Sequence, residues 1–432
     1  MGTINMTVGN AGPNGATVAA KVDTGPVRLA VADNSVMSNP TFFGPVAVDS
    51  QGRAKVTATA LSADTNYWYQ IEDNSTLDTS ITGEFRTHPL VGQDASFSVI
   101  FVADAGLSPD HPGIGTVLAS NRLSDSPVFD SVRMHATNPL ITVHLGDLHY
   151  YDLGSGFHGI SGGGSLSNYR RAYDDVFLQT RQHQLYYKRP WVYLWNDHCY
   201  GPNNSDGTLA TKGNALQAYG ECVPHYLLAG TDGIYHSFQI GRILFVVTDE
   251  RYNRSPNSNP DGPSKTMLGN IQKNWFESLL NSSDAEALIW CSGGEWLGTV
   301  SDTWGNFETE RTELATMFKD TGWNSRMVYI GADKHALGIA SGSANSHGEF
   351  PVFQFAPVDA TPNSESSPQY DIGYQNGTNG QFGVITVTDR GRTIDILGTG
   401  YDPSGEWGSH LLQIHTLPIV GHRGSDSHVL AL

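Results

Sequence analysis

The sequence predicts an α/β domain over residues 95–420, an all-β module over residues 1–90 ahead of it, and a tail over residues 421–432. Three observations carry that expectation. Short runs of alternating apolar and polar side chains fill the first ninety residues, separated by Gly, Asn, Asp and Pro clusters. From Ser96 onward, apolar strand-like runs alternate with segments of helical period. Five of those runs end in clusters of carboxylates, imidazoles or amides, and in an open α/β sheet strand ends on one side share a crevice where ligands bind.

In chain order, Thr17–Val22, Val27–Val31 and Ala54–Thr59 read as strands of the β module. Leu61, then Tyr67-Trp68-Tyr69, then Phe85-Arg86-Thr87 resemble the anchoring residues of a fibronectin type III domain, with Tyr67 as its corner tyrosine. His88–Gly92 serves as linker. Ser167 is expected to cap a helix through Tyr169, Tyr173 and Phe177, and Ile271, Trp275 and Leu279 mark a second helix. A third carries Leu314, Met317 and Phe318 and ends at Thr321-Gly322. Gly154–Ser167 reads as a glycine-rich loop near the second polar cluster, and 341–380 as loop apart from the strand Val352–Phe355. Phe382–Val387 and Thr393–Leu397 form a hairpin around Asp389-Arg390-Gly391.

Composition narrows the function. A net charge of −18 over 432 residues disfavours binding to nucleic acid or to an anionic membrane, though it leaves a phosphorylated small molecule open if one site is locally positive. No apolar run is long enough to span a bilayer, and the segment after Met1 lacks the basic start and apolar core of a secretory signal. Cys199, Cys222 and Cys291 cannot build a disulfide framework; a Cys199–Cys222 bridge and three free thiols are both open.

The clusters are Asp104-Ala105-Gly106, Gly146-Asp147-Leu148-His149-Tyr150, Asn196-Asp197-His198, Thr248-Asp249-Glu250-Arg251 and Gly331-Ala332-Asp333-Lys334-His335. Carboxylates and imidazoles brought to one crevice are what a pair of hard or borderline cations requires. A glycine before Asp147 allows a sharp turn that aims a short carboxylate able to bridge two ions, with Asp104 as a terminal ligand. Tyr150 offers a phenolate, which favours Fe(III). Asn196-Asp197 offers oxygen ligands, and His198 beside them is placed to meet substrate as an acid or charge stabiliser. Asp333 and His335, two apart, project to one side and can ligate together. Arg251 suits a phosphate fork, with an ion pair to Asp249 or Glu250 as the structural alternative. Glu295 follows another apolar run and is a candidate ligand or a support for one. Gly159–Gly163 matches G-x-S-x-G but follows no strand, and no phosphate-binding P-loop or H-E-x-x-H helix exists.

The ordered set resembles the calcineurin-like metallophosphoesterases, and within them the PhoD-like alkaline phosphatases and phosphodiesterases. Trp195–Asn204 is similar to that family's W-D-D-H block, Asp249-Glu250-Arg251 to its D-T-R, Thr266–Trp275 to its T-M-L-G-x-x-Q-x-x-W, and Asp333-Lys334-His335 to its D-x-H. Asp104-Ala105-Gly106 stands where those enzymes carry a cysteine and looks like the first block of purple acid phosphatases. The resemblance implies a β-sandwich flanked by helices, and two metal ions, Fe(III) with Ca, Zn or Mn. Asp104, Tyr150 and a bridging Asp147 would hold the first ion and Asp197 the second, with Asp333 and His335 one on each. It implies phosphomonoester or phosphodiester hydrolysis by a metal-bound hydroxide, outside the cytoplasm or at the cell surface. The competing reading is a non-catalytic surface or virion protein that binds a phosphorylated or glycan partner.

Overall fold

A computed structural model describes residues 2–106, 124–152, 164–364 and 367–416. Eight strands precede the linker: β1 (Thr3–Gly12), β2 (Gly15–Val22), β3 (Val27–Ala32), β4 (Thr41–Val46), β5 (Arg53–Ala58), β6 (Asn66–Asp73), β7 (Thr76–Leu77) and β8 (Gly83–Arg86). They form two layers, β1-β2-β5 and β4-β3-β6-β7 with β8 on β6. Alternation drives this: Met6 and Val8 of β1, Val18 of β2, Leu29 and Val31 of β3 and Tyr69 and Ile71 of β6 all turn into one buried core. Tyr67 sits as a corner tyrosine would, its hydroxyl accepting the Ser62 N–H at 3.0 Å.

Strands β9 (Phe97–Val102), β10 (Ile141–His144) and β11 (Trp191–Tyr193) are parallel and wholly buried, as their near-continuous apolar sequence requires. β1 also pairs in parallel with β11, Gly9 opposite Trp191. One nine-stranded sheet therefore runs from the last described strand through β9, β10 and β11 into the N-terminal layer. Nothing local in the sequence announces that continuity.

A second sheet follows: β12 (His236–Ile240), β13 (Ile243–Val247), β14 (Ala287–Cys291), β15 (Met327–Gly331), β16 (Leu337–Ala340), β17 (Val352–Phe355) and β18 (Gly373–Gln375), in the order β12-β13-β14-β15-β17-β16-β18. β19 (Phe382–Asp389), β20 (Thr393–Asp402) and β21 (Gly405–His415) form a meander that joins the first sheet antiparallel to β9. The two sheets pack face to face, with Phe101 against Phe355 and Phe97 against Phe245 at ring distances of 6.0 and 6.3 Å. The expected hairpin is β19–β20, β17 is the strand expected within 341–380, and β18 and β21 are additions.

The helices are α1 (Val128–Arg133), α2 (Leu166–Val176), α3 (Thr180–Tyr187), α4 (Asp197–Tyr200), α5 (Lys212–Cys222), α6 (Asn270–Ser282) and α7 (Glu308–Asp320). Helix α2 starts earlier than expected: Ser165, not Ser167, is the cap, accepting the Asn168 N–H at 3.3 Å. The buried stripe of α6 is shifted by one residue, to Gln272, Phe276 and Leu280, leaving Ile271 64% exposed. Gln272 explains the shift: its amide is drawn inward to the Asp249 main chain, donating to its carbonyl and accepting its N–H, both at 2.8 Å. Phe276 and Leu280 with Leu314 and Phe318 of α7 cover Trp290 and Tyr329 on the outer face of the second sheet. All three cysteines are buried and unbridged. Most of the glycine-rich 154–167 loop, the 159–163 motif and the tail from 421 lie outside the described residues. No described helix is long and apolar enough to cross a membrane.

Candidate metal centre

Four side chains named from the sequence are held in left-handed backbone, at φ +56° for Asp104, +48° for Asp147, +75° for Asp333 and +49° for His335. Each follows a strand that runs straight into the site, so the chain must turn within one or two residues to aim a short side chain at the crevice. Such strain persists only where surrounding structure enforces it, and it collects at functional sites. Gly146 makes the turn before Asp147 at φ +116°, and a Cβ there would lie 2.5 Å from that of Asn196.

Among the described residues, ligating atoms converge in three groups, each with its atoms within 4.8 Å of one another: Asp104, Asp147 and His335; Asp147, Asp197 and His198; and Asp197, Asp302 and Asp333. Asp147 belongs to the first two. The third group already holds a cation, because Arg251 lies across it, 3.1 Å from Asp302, 3.3 Å from Asp333 and 3.7 Å from Asp197. Among the described residues no ion pair reaches Asp104 or Asp147; the second group contains His198 and touches Arg251 only at Asp197.

Both oxygens of Asp104 and one of Asp147 are buried without a hydrogen bond of ordinary geometry. Burial first, then the charges of Asp333 and Asp197, push the Asp104 carboxyl well above its usual range; burial and Asp197 do the same to Asp147, and burial, Asp197 and Asp302 to Asp333. Asp197 goes the other way: burial raises it, but Arg251, His198 and the Asn204 N–H at 2.7 Å outweigh that and bring it down to about 2. Orphaned, mutually repelling carboxylates at the end of a parallel sheet fit bound cations and fit poorly with anything else.

Tyr150 is fully buried, its hydroxyl 2.9 Å from His335 Nε2, while His335 Nδ1 meets the Thr361 carbonyl at 2.7 Å. A backbone acceptor on Nδ1 leaves Nε2 as the nitrogen free of its proton, the usual arrangement of a ligating imidazole. His198 packs 4.5 Å from the Tyr150 ring and its Nδ1 lies 2.7 Å from Asp152. Burial lowers the His198 pKa, but Asp197, Asp147 and Asp152 more than compensate and lift it to about 10. Cations bound among those carboxylates would cancel part of that lift.

Arg251 corrects an expectation. It is fully buried; its guanidinium is forked onto Asp302 at 3.2 and 3.1 Å and its Nε donates to Asn196 at 2.7 Å, so it does not face the open cleft as a phosphate fork. Its ion-pair partners are Asp302, Asp333 and Asp197, not the Asp249 or Glu250 beside it, because Asp249 is taken by Trp195 and by the Ile234, Arg251 and Tyr252 N–H groups, and Glu250 by Ser292 and Trp304. Asn196 links Arg251 to Asp333 through its amide. Glu295 belongs to none of the three groups; it is buried, interacting with Tyr370.

Asp302 and Asp152 are the residues that sequence reasoning missed. Asp302 lies in a Val300-Ser301-Asp302-Thr303 loop that looks like any turn, and Asp152 gains meaning only once His198 is beside it. Asp147, Asp197, His198, Asp333 and His335 open onto a cleft of about 450 Å³, whose other walls include Asn203, Asn204, Asp302, Lys334 and Thr361.

The PhoD-like phosphatase family model matches residues 127–371, more than half of the chain. Alkaline phosphatase D of Bacillus subtilis (strain 168) is 24% identical over 371 residues, covering 75% of this chain; the chain spans 58% of that relative's length. A solved structure of PhoD superposes with a TM-score of 0.73 at 17% identity, over 97% of this chain and 93% of that one. Purple acid phosphatase PPD1 from yellow lupin (Lupinus luteus) seeds follows at 0.63 and 14%, over 95% and 74%. The fold is shared with both, and the chain belongs to the PhoD-like phosphatase family.

Proposed function

We propose that this chain hydrolyses phosphate mono- or diesters at a two-metal site. The observation that carries the reading is the pair of acidic groups sharing Asp147, with oxygens of Asp104 and Asp147 left unpartnered among the described residues and, of their members, only Asp197 paired with Arg251. Asp104, Tyr150 and His335 would hold one ion, Asp197 and Asp333 the other, and Asp147 both. The donor set, mostly hard oxygen with one imidazole, suits Fe(III) with Ca, Zn or Mn. When bound, the ions supply positive charge for the phosphoryl oxygens and acidity to a coordinated water.

The rest belongs to the chain. Asp152 accepts the Nδ1 proton of His198, which fixes the ring and leaves Nε2 to donate to a leaving oxygen. Lys334, Asn203 and Asn204 line the cleft as donors to a phosphoryl group. Arg251 acts through others, holding Asp302, Asp333 and Asn196 in place. A cleft open to solvent admits a second ester arm, which supports diesters as well as monoesters. Family membership supports action outside the cytoplasm or at the cell surface.

The test is reconstitution of the purified full chain with iron and a divalent ion. About two metals per chain, a visible tyrosinate–iron band and turnover of an aryl phosphate or bis-aryl phosphate are expected. Fewer than about one metal per chain, without turnover, would overturn the reading and favour a binding protein.

A further inference from the structure

A second cleft, of about 240 Å³, shares no described lining residue with the first. It lies between β6 and β8 of the N-terminal sandwich and the segments that lead into β10 and β11, Pro139-Leu140 and Lys188-Arg189-Pro190. Those segments enter the parallel strands at the end opposite the metal centre. The chain has only 25 Lys and Arg against 43 Asp and Glu, yet Arg86, Arg133, Lys188 and Arg189 all line this one cleft, with Glu84 the one carboxylate among its described walls.

Three of the four cations have acidic neighbours. Arg86 pairs with Asp64 at 2.6 Å, Arg133 loosely with Asp130 at 3.4 Å, and Lys188 with Glu84 at 4.0 Å. Arg189 forms no ion pair among the described residues, although the Glu84 charge acts on it. It is 8% exposed, its Nη2 donates to the Arg133 carbonyl at 2.9 Å, and its Nη1 is buried without an acceptor, as is Nε of Arg133. Burial, with Arg133's charge acting the same way and Glu84 against it, presses the Arg189 guanidinium down to about 10. A buried guanidinium with no ion pair and one unsatisfied nitrogen is costly, and a planar fork of donors is matched by a tetrahedral oxyanion. At about 30 Å³ per water, the cleft holds roughly eight waters, room for a small ion but not for a macromolecule.

We propose that this cleft is a binding site for a phosphate group, gripped by the unsatisfied donors of Arg189 and Arg133 with Lys188 and Arg86 supplying further charge. The ligand is either free inorganic phosphate or the head group of a phosphomonoester. The proposal does not depend on the hydrolytic reading of the metal centre.

The test uses full-length protein carrying Asp147→Asn, kept in chelator so that the metal centre stays empty, and titrated calorimetrically with inorganic phosphate and, separately, with phenyl phosphate. Sodium chloride at matched ionic strength is the control. One site of about 1 mM affinity or tighter is expected, weakened at least about tenfold by adding Arg189→Met. Saturation by phosphate assigns the free ion, and saturation by phenyl phosphate alone assigns an esterified one. Should Arg189→Met fail to fold, Arg133→Gln with Lys188→Gln, at half-exposed positions, must give the same loss. Absence of saturable binding by either ligand, or binding that survives these substitutions, overturns the proposal.

Discussion

Asp147→Asn should change the stability of the protein in opposite directions with and without metal. Asp147 has a ligating oxygen within 4.8 Å of those of Asp104 and of Asp197. Two full charges at that separation repel by about 3.5 kcal/mol at an effective dielectric of 20. The metal-free protein relieves this by holding protons on Asp104, Asp147 and Asp333, which is what their raised pKa values express. An amide of the same shape removes one charge from the repelling set, so in chelator the variant should be more stable than the parent by about 1–3 kcal/mol. With metal at about one hundred times its dissociation constant the parent gains about 2.7 kcal/mol, whereas the variant, missing the ligand common to both groups, should gain little. Thermal melts of both proteins, in chelator and across a metal titration, check this. Melting curves that keep the same order under both conditions, or an undiminished metal response in the variant, would refute the shared role of Asp147.

Asp152→Asn removes the acceptor that orients His198, and kcat on an aryl phosphate should fall by about 10- to 100-fold with KM little changed; a KM effect alone would point to binding instead. Asp302→Asn takes the counter-ion from Arg251 and Arg254, both essentially buried and bonded to it at 3.1 and 2.7 Å. A loss of about 3 kcal/mol in chemical denaturation is expected, near the low end for a broken buried pair because Asp333 and Asp197 still face Arg251. Acid should destabilise the fold through His183 and His236, which burial holds down to about 4 despite acceptors at the Met6 and Ile234 carbonyls. Both stay neutral in the native state while the unfolded chain takes up protons below about 6.5, so their contribution is complete above pH 6.5 and is lost as pH falls toward 4. Each should cost about 2 kcal/mol by pH 5, and denaturation midpoints at pH 7 and pH 5 should differ less in His183→Gln than in the parent.

What the sequence determined by itself was everything that depends on neighbours in the chain. Strand ends were legible because a buried parallel strand must be apolar on both faces, so a sudden Gly-Asp or Ala-Asp marks where the chain leaves the sheet. Asp104, Asp147, Asp197, Asp333 and His335 were picked out this way as candidates, and the fold brings their ligating atoms into adjoining groups; the β-rich N-terminal region and the hairpin β19–β20 were legible too. Tertiary structure decided what depends on distance across the fold. Asp302 and Asp152 stand in loops without any local mark; only the approach of Arg251 and His198 gives them work. The fork of Arg251 was legible as chemistry but not as direction, because whether a guanidinium meets solvent or three carboxylates depends on a loop 51 residues away. Gln272 turned the buried face of α6 by one residue for the same reason: an amide that finds a buried main-chain partner outweighs an isoleucine left in water. The joining of β1 to β11 belongs with these, since backbone pairing between strands so far apart leaves no trace in either one.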